Sequence, residues 1–163
     1  MTTGVVKSQN TRIYFAVAGT SSEIHMVQCA TAVAGLNSGQ AGQIEITCLS
    51  SLEKEFVRGL LNPGPVNIPF NTIFRSAAFQ ALQALKDSGD TTSFMVVFSD
   101  QAAAPTNVDS NGRLVSPGAT SYEFLAYVAD MPLDANTDDI VRGTLNLQRS
   151  GVGNWDFPAA DLD

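Results

Sequence analysis

Phe74, Ala78, Leu82 and Leu85 recur at spacings of four, four and three, while Ser76, Gln80, Gln83 and Asp87 fall on the opposite side. That period is helical and predicts one amphipathic helix over residues 76–88, with those four apolar side chains turned to the core. Ser76 suits the N-cap, Lys86 places a cation at the negative end of the dipole, and Gly89 can take the left-handed conformation that ends a helix. After the polar step Asp90-Thr91-Thr92 comes Phe94-Met95-Val96-Val97-Phe98, which has no polar face. Such a run predicts a short strand covered on both sides.

The remaining pattern is mostly of strands. Thr11–Ala18 is β-branched and aromatic and stops at the turn Gly19-Thr20-Ser21-Ser22; Ile24–Val33 resumes as a strand. Ala34–Gly42 is small, polar and glycine-rich, which predicts a mobile loop with Leu36 as its only large apolar group. Gln43–Leu49 alternates, with Ile44, Ile46 and Cys48 on one face, so one side is expected in the core and the other in water. Leu52–Leu60 reads as a loop or edge strand, and Asn62-Pro63-Gly64-Pro65 as a turn. Val66–Phe70 carries Pro69, which confines it to a sheet edge. The connector 101–120 is long for a compact domain, a length usually functional or disordered. Ser121–Met131 and Asp138–Arg149 then form a long hairpin around Pro132–Thr137. The tail Val152–Asp163 holds Trp155 and Phe157, two large aromatics suited to an arm that docks.

These elements describe a mainly β (α+β) protein: an antiparallel β-sandwich or partly closed barrel with one packed helix. A single domain is expected over 1–163, its core spanning about 11–150 between flexible arms at 1–10 and 151–163.

Charge narrows the function. The chain has 16 acidic against 9 basic residues, a formal charge of −7. A nucleic-acid reader needs a basic footprint, so that class is excluded, whereas a surface past which DNA slides without sticking is not. Residues 1–10 contain no apolar core of a signal peptide, and Phe124–Ala129, the longest apolar run, is too short to cross a bilayer. Cys29 and Cys48 are therefore expected as reduced, buried thiols on strands.

No constellation carries catalysis. Asp134-Ala-Asn136-Thr-Asp138 matches the first ligand positions of a calcium loop, but Asp139 stands where glycine is needed and Leu145 where a bidentate Glu is needed. Asp109-Ser-Asn111-Gly112 is a turn signal. His25 is the only histidine and has no Gly-x-Ser-x-Gly elbow to serve; Gly151-Val-Gly153 lacks the third glycine of a nucleotide fingerprint. Neither enzyme, metal nor cofactor is expected. The arginines, Arg142 and Arg149 among them, are scattered among acids and read equally as solvated charges or as intersubunit partners.

An Ala/Leu/Gln-rich helix entering Gly89-Asp90-Thr91, an apolar strand, a long loop, and then long strands at Tyr122–Asp130 and Ile140–Gln148 ending in Arg149-Ser150-Gly151 resemble the major tail tube protein of long-tailed bacteriophages. The resemblance covers about Gln43 to Gly151 in order of elements. It implies a structural virion protein, assembled in the host cytoplasm, whose hexameric rings stack into a hollow tail tube. That tube would enclose the tape-measure protein, meet tail terminator and tail-tip proteins, and conduct DNA as non-specific cargo. Strands of neighbouring copies would line the lumen, with the hairpin Ser121–Arg149 and the strand Gln43–Leu49 as candidates. Leu36, Asn37, Arg142, Arg149, Trp155 and Phe157 are the candidate contacts between copies or rings. The chain departs from better-known members in its long 101–120 connector and in having no second immunoglobulin-like domain after Gly151. The tube protein of a contractile tail or type VI secretion system shares the architecture, and a monomeric β-barrel binding a small molecule is the reading from another class.

Overall fold

In the computed structural model, which describes residues 5–17 and 23–158, helix α1 runs Ala77–Ser88. Ser76 Oγ accepts a hydrogen bond from the Phe79 N–H at 3.1 Å, and Gly89, at φ +73°, donates its N–H to Leu85 O at 2.9 Å. Both ends are thus closed by the residues the pattern names. Ala78, Leu82 and Leu85 are buried as expected. Phe74 is not: it stands in the turn before the cap, 52% exposed, edge-on to Phe79 at 5.4 Å. The helical period begins only after Ser76, so a spacing of four across the cap does not keep Phe74 on the buried face.

The strands are β1 (Arg12–Ala16), β2 (Ile24–Met26), β3 (Gly39–Glu45), β4 (Phe56–Pro63), β5 (Pro65–Asn71), β6 (Thr92–Val97), β7 (Ser121–Asp130), β8 (Leu133–Asp134) and β9 (Arg142–Asp156). Seven form one antiparallel sheet, ordered β2-β1-β6-β7-β9-β5 with β8 beside β9; β3 and β4 make a separate hairpin. Among the described residues the fold is mainly antiparallel β with one helix, and no closed barrel forms. The chain after β2 leaves the β1 edge, where Val27 N–H meets Ile13 O, and reaches the β5 edge through single bridges at Ala30–Phe70 and Ala34–Asn67. The sheet edges are therefore linked by a crossing segment rather than a ladder.

That crossing corrects the strand expected over Ile24–Val33. Only Ile24–Met26 is regular, because Cys29 turns the chain at φ +52°. Cys29 and Cys48 are both exposed thiols outside named strands, not buried ones on strands. The turn expected at 19–22 lies outside the described residues.

Alternation assigns the two faces of the sheet. Ile13, Phe15, Phe94, Val96, Phe124, Val66, Ile68, Leu145 and Leu147 point to one side, and α1 closes over it. Phe15 pairs in register with Phe94, and Phe94 with Phe124; both ring pairs stack at 5.9 Å between centroids. Tyr14, Ala16, Met95 and Val97 point to the other side. The long connector covers them with Leu114 and Ala119, which explains why every residue of β6 is buried. This connector is ordered cover. Asp109 Oδ1 accepts the N–H groups of Asn111 and Arg113, and Asp100 takes the hydroxyl and amide of Thr120, closing the loop end to end.

β5 lies at the end of the sheet, as Pro69 requires. β9 does not stop near Gly151 but continues to Asp156, so the C-terminal residues read as an arm are strand up to that point. An irregularity in the β7–β9 register between Glu123 and Leu125 accommodates Gly151 at φ +79°. Trp155 then packs on Tyr122 at 4.7 Å and stacks on Phe98 at 6.0 Å.

Candidate assembly interface

The hairpin β3–β4 stands apart from the sheet and has no core behind it among the described residues. The alternation of Gln43–Leu49 predicts one buried face, yet Ile44 and Ile46 are exposed, and so are Phe56 and Val57 across the ladder. Leu60 is 92% exposed, and Leu49 and Leu52 in the connecting loop are bare. A two-stranded hairpin is marginal in water by itself, and this one presents large apolar side chains on both faces. The segment Leu52–Leu60, expected as loop or edge strand, supplies half of it. The clue in the sequence is the apolar run of Phe56-Val57 and Leu60-Leu61 beside an alternating partner, with no helix to cover either.

Residues expected to be a mobile loop form its root. Gly39 to Gly42 belong to β3, and Leu36 packs inward against the core of its own chain. Asn37 turns the chain at φ +56° and is exposed. Gly39, at φ +140°, lets β3 approach β4 so closely that a Cβ would stand 2.5 Å from Asn62 O. Only Gly64 separates β4 from β5, and its N–H donates to Ser38 O at 3.2 Å.

β9 holds that root. Gln148 Nε2 donates to Pro63 O at 3.3 Å, and Arg149 Nη1 donates to Ser38 O at 2.8 Å. Arg149, a candidate contact between copies by sequence, is 4% exposed and lies within its own chain, its guanidinium carbon 5.6 Å from the Tyr122 ring centre. Burial raises the pKa of the Tyr122 hydroxyl, with Arg149 opposing the shift. Arg142 is exposed and pairs with Asp139 at 3.3 Å.

Trp155 and Phe157 remain partly exposed and stack at 5.6 Å, so this pair forms a second apolar patch. It borders the outer half of β9, where residues 149–156 pair with β7 on one side and with no strand on the other among the described residues. An unpaired strand edge is a template for another chain. The structure does not bring the six sequence candidates into one site: two are internal or inward, two flank the hairpin root or the β8–β9 turn, and two lie by the β9 edge. No described cluster of His, Cys, Asp or Glu could hold a metal ion, and no described helix is long and apolar enough to cross a membrane.

Residues 4–159 match the family described as phage tail tube, TTP, lambda-like. The chain belongs to this phage tail tube family. It is a structural component of the virion tail, not an enzyme. It is 30% identical over 154 residues to structural protein 3 of Pseudomonas phage PAJU2, covering 90% of this chain and 91% of that one. The fold is that of the SPP1 tail tube solved by solid-state NMR and electron microscopy, with a TM-score of 0.62 at 12% identity over 94% of this chain and 81% of the other. It is also that of a chain in the tail of an empty gene transfer agent particle refined with C6 symmetry, with a TM-score of 0.63 at 12% identity over 93% and 99% of the two chains.

Proposed function

We propose that six copies of this tail tube protein close into a ring, that rings stack through the β3–β4 hairpin, and that the resulting tube encloses the tape-measure protein and later conducts DNA. The projecting hairpin carries this reading. Its apolar side chains have no cover among the described residues of the subunit, so stable burial needs another copy. The C6 symmetry of a tail with the same fold supports a six-membered ring. The open outer edge of β9 supplies a strand to pair with the next copy, which closes a ring instead of leaving an edge exposed. Terminator and tail-tip proteins would meet the same surfaces at the two ends of the tube. The charge of −7 per subunit suits a wall that repels the phosphate backbone and offers it few cations to bind.

Negative-stain microscopy of the concentrated chain, beside Leu60→Asp and Leu49→Asp variants, tests the reading. The unsubstituted chain should form tubes. The variants should keep the subunit's free energy of unfolding in urea within about 0.5 kcal/mol, since both side chains are already in water, and should form no tubes. Tubes of normal length from either variant, or a subunit that stays monomeric at high concentration, would overturn it.

A further inference from the structure

Arg149 is a buried cation, and no carboxylate lies within ion-pair distance of it among the described residues. Its Nε has no hydrogen-bond partner, and neither has the neighbouring Tyr122 hydroxyl. Burying a guanidinium this way is costly, and the unbranched side chain of a methionine would pack on the ring without that cost. What the guanidinium adds is one charge-assisted hydrogen bond of 2.8 Å to Ser38 O. Ser38 is the residue before β3, and its carbonyl also receives the N–H of Gly64, the residue after β4. Both strands of the hairpin therefore leave the body at an atom that Arg149 grips. Gln148, the preceding residue of β9, holds Pro63 O on the other strand.

We propose that Arg149 is a positioning residue: through Ser38 it fixes the direction in which the β3–β4 hairpin leaves the sheet, with Tyr122 as the platform that holds the guanidinium. The inference deepens the proposed function, on which it rests for its purpose, because a hairpin that swings pays an ordering cost at each docking event. The planar fork suits the task. Its Cζ lies over the ring while Nη1 donates to Ser38 O, two tasks that a point-like ammonium does not combine in one pose.

Two native cysteines allow a direct test. Cys29 lies on the body and Cys48 in the loop joining β3 to β4, both exposed, and the chain has no third. Spin labels on the two read the hairpin's angle in the free subunit by pulsed electron resonance, without any assembly. The unsubstituted chain should give one narrow distance peak. Arg149→Met should lose that peak for a broad distribution while amide protection in α1 and β6 stays intact, and it should assemble poorly. If Arg149→Met does not fold, Arg149→Gln, which keeps a polar group but is too short to reach Ser38, takes its place with the same expected result. A narrow, unchanged peak in the folded variant overturns the clamp, whatever happens to assembly. Failure of the unsubstituted chain to form tubes overturns the proposed function instead and leaves the distance result decisive for the clamp.

Discussion

Arg113 Nε stands 3.2 Å from Glu123 Oε1, and together they fasten the connector 101–120 to the middle of the sheet. The same oxygen accepts the Ser93 hydroxyl at 2.6 Å, Asn154 donates to the other oxygen at 3.3 Å, and Ser93 in turn receives the Leu114 N–H at 3.0 Å. Glu123 is thus the hub of a polar network under the connector. Arg113→Met removes one arm and leaves the buried carboxylate short of a donor, which should cost about 1–3 kcal/mol. Urea midpoints give the loss, and faster exchange of the Leu114 amide would place it in the connector; an unchanged midpoint would show that the pair is not structural.

Asp100 predicts a pH dependence. Burial alone pushes its carboxyl up, but the Thr120 hydroxyl and the amides of Thr120 and Gln101 outweigh burial and hold it below the ordinary value. A depressed folded-state pKa contributes stability that is present above the unfolded value and is lost as pH falls through the folded one. The unsubstituted chain should therefore exceed Asp100→Asn in stability at neutral pH, and the gap should close in acid below the ordinary carboxylate range. Paired denaturation curves across that range check it, and a gap independent of pH counts against the assignment.

The buried face of α1 should answer differently from its wet face. Leu82→Ala opens a cavity under the sheet and should cost about 2–5 kcal/mol. Gln80 is exposed, and Gln80→Ala should stay within about 0.5 kcal/mol. Equal losses in urea would contradict the burial of that face.

Gly153 faces the Tyr122 ring, which occupies the space where a Cβ would go. Gly153→Ala should destabilise by about 1–3 kcal/mol through overpacking. Trp155 leans on the same ring and is the only tryptophan, so its fluorescence should shift in the folded variant. An unshifted spectrum and unchanged stability would mean that the bend of β9 adjusts freely.

Most of the fold is legible in local pattern because local forces set it. Ser76, Gly89 and the spacing of Ala78, Leu82 and Leu85 specify α1, and the two-faced run at 94–98 announces cover on both sides. What supplies that cover is not legible: Leu114 and Ala119 are isolated apolar residues in polar surroundings, and only tertiary placement gives them a role. The continuation of β9 past Gly151 is hidden because glycines there read as an end, whereas the Tyr122 ring requires one. Alternation at Ile44 and Ile46 predicts a buried face, yet both are exposed in the subunit because no described residue covers them; reading the chain as self-sufficient assigns them to its own core. Arg149 carries no local signal of burial at all.

The single-residue step at Gly64 also has a mechanical meaning. A load applied to the hairpin enters β5 at its Pro65 end, because only Gly64 separates β4 from β5. β5 is held to β9 by seven register pairs, and an axial pull loads them in shear. Pulling from Cys48 against a cysteine introduced by Asp138→Cys, just before the Arg142 end of β9, loads the antiparallel pair at opposite ends and should show one high-force event, whereas a succession of low-force steps would mean that the ladder peels. In the proposed stacking, tension between rings would pass through the backbone of the sheet, and the helix and connector would carry little of it.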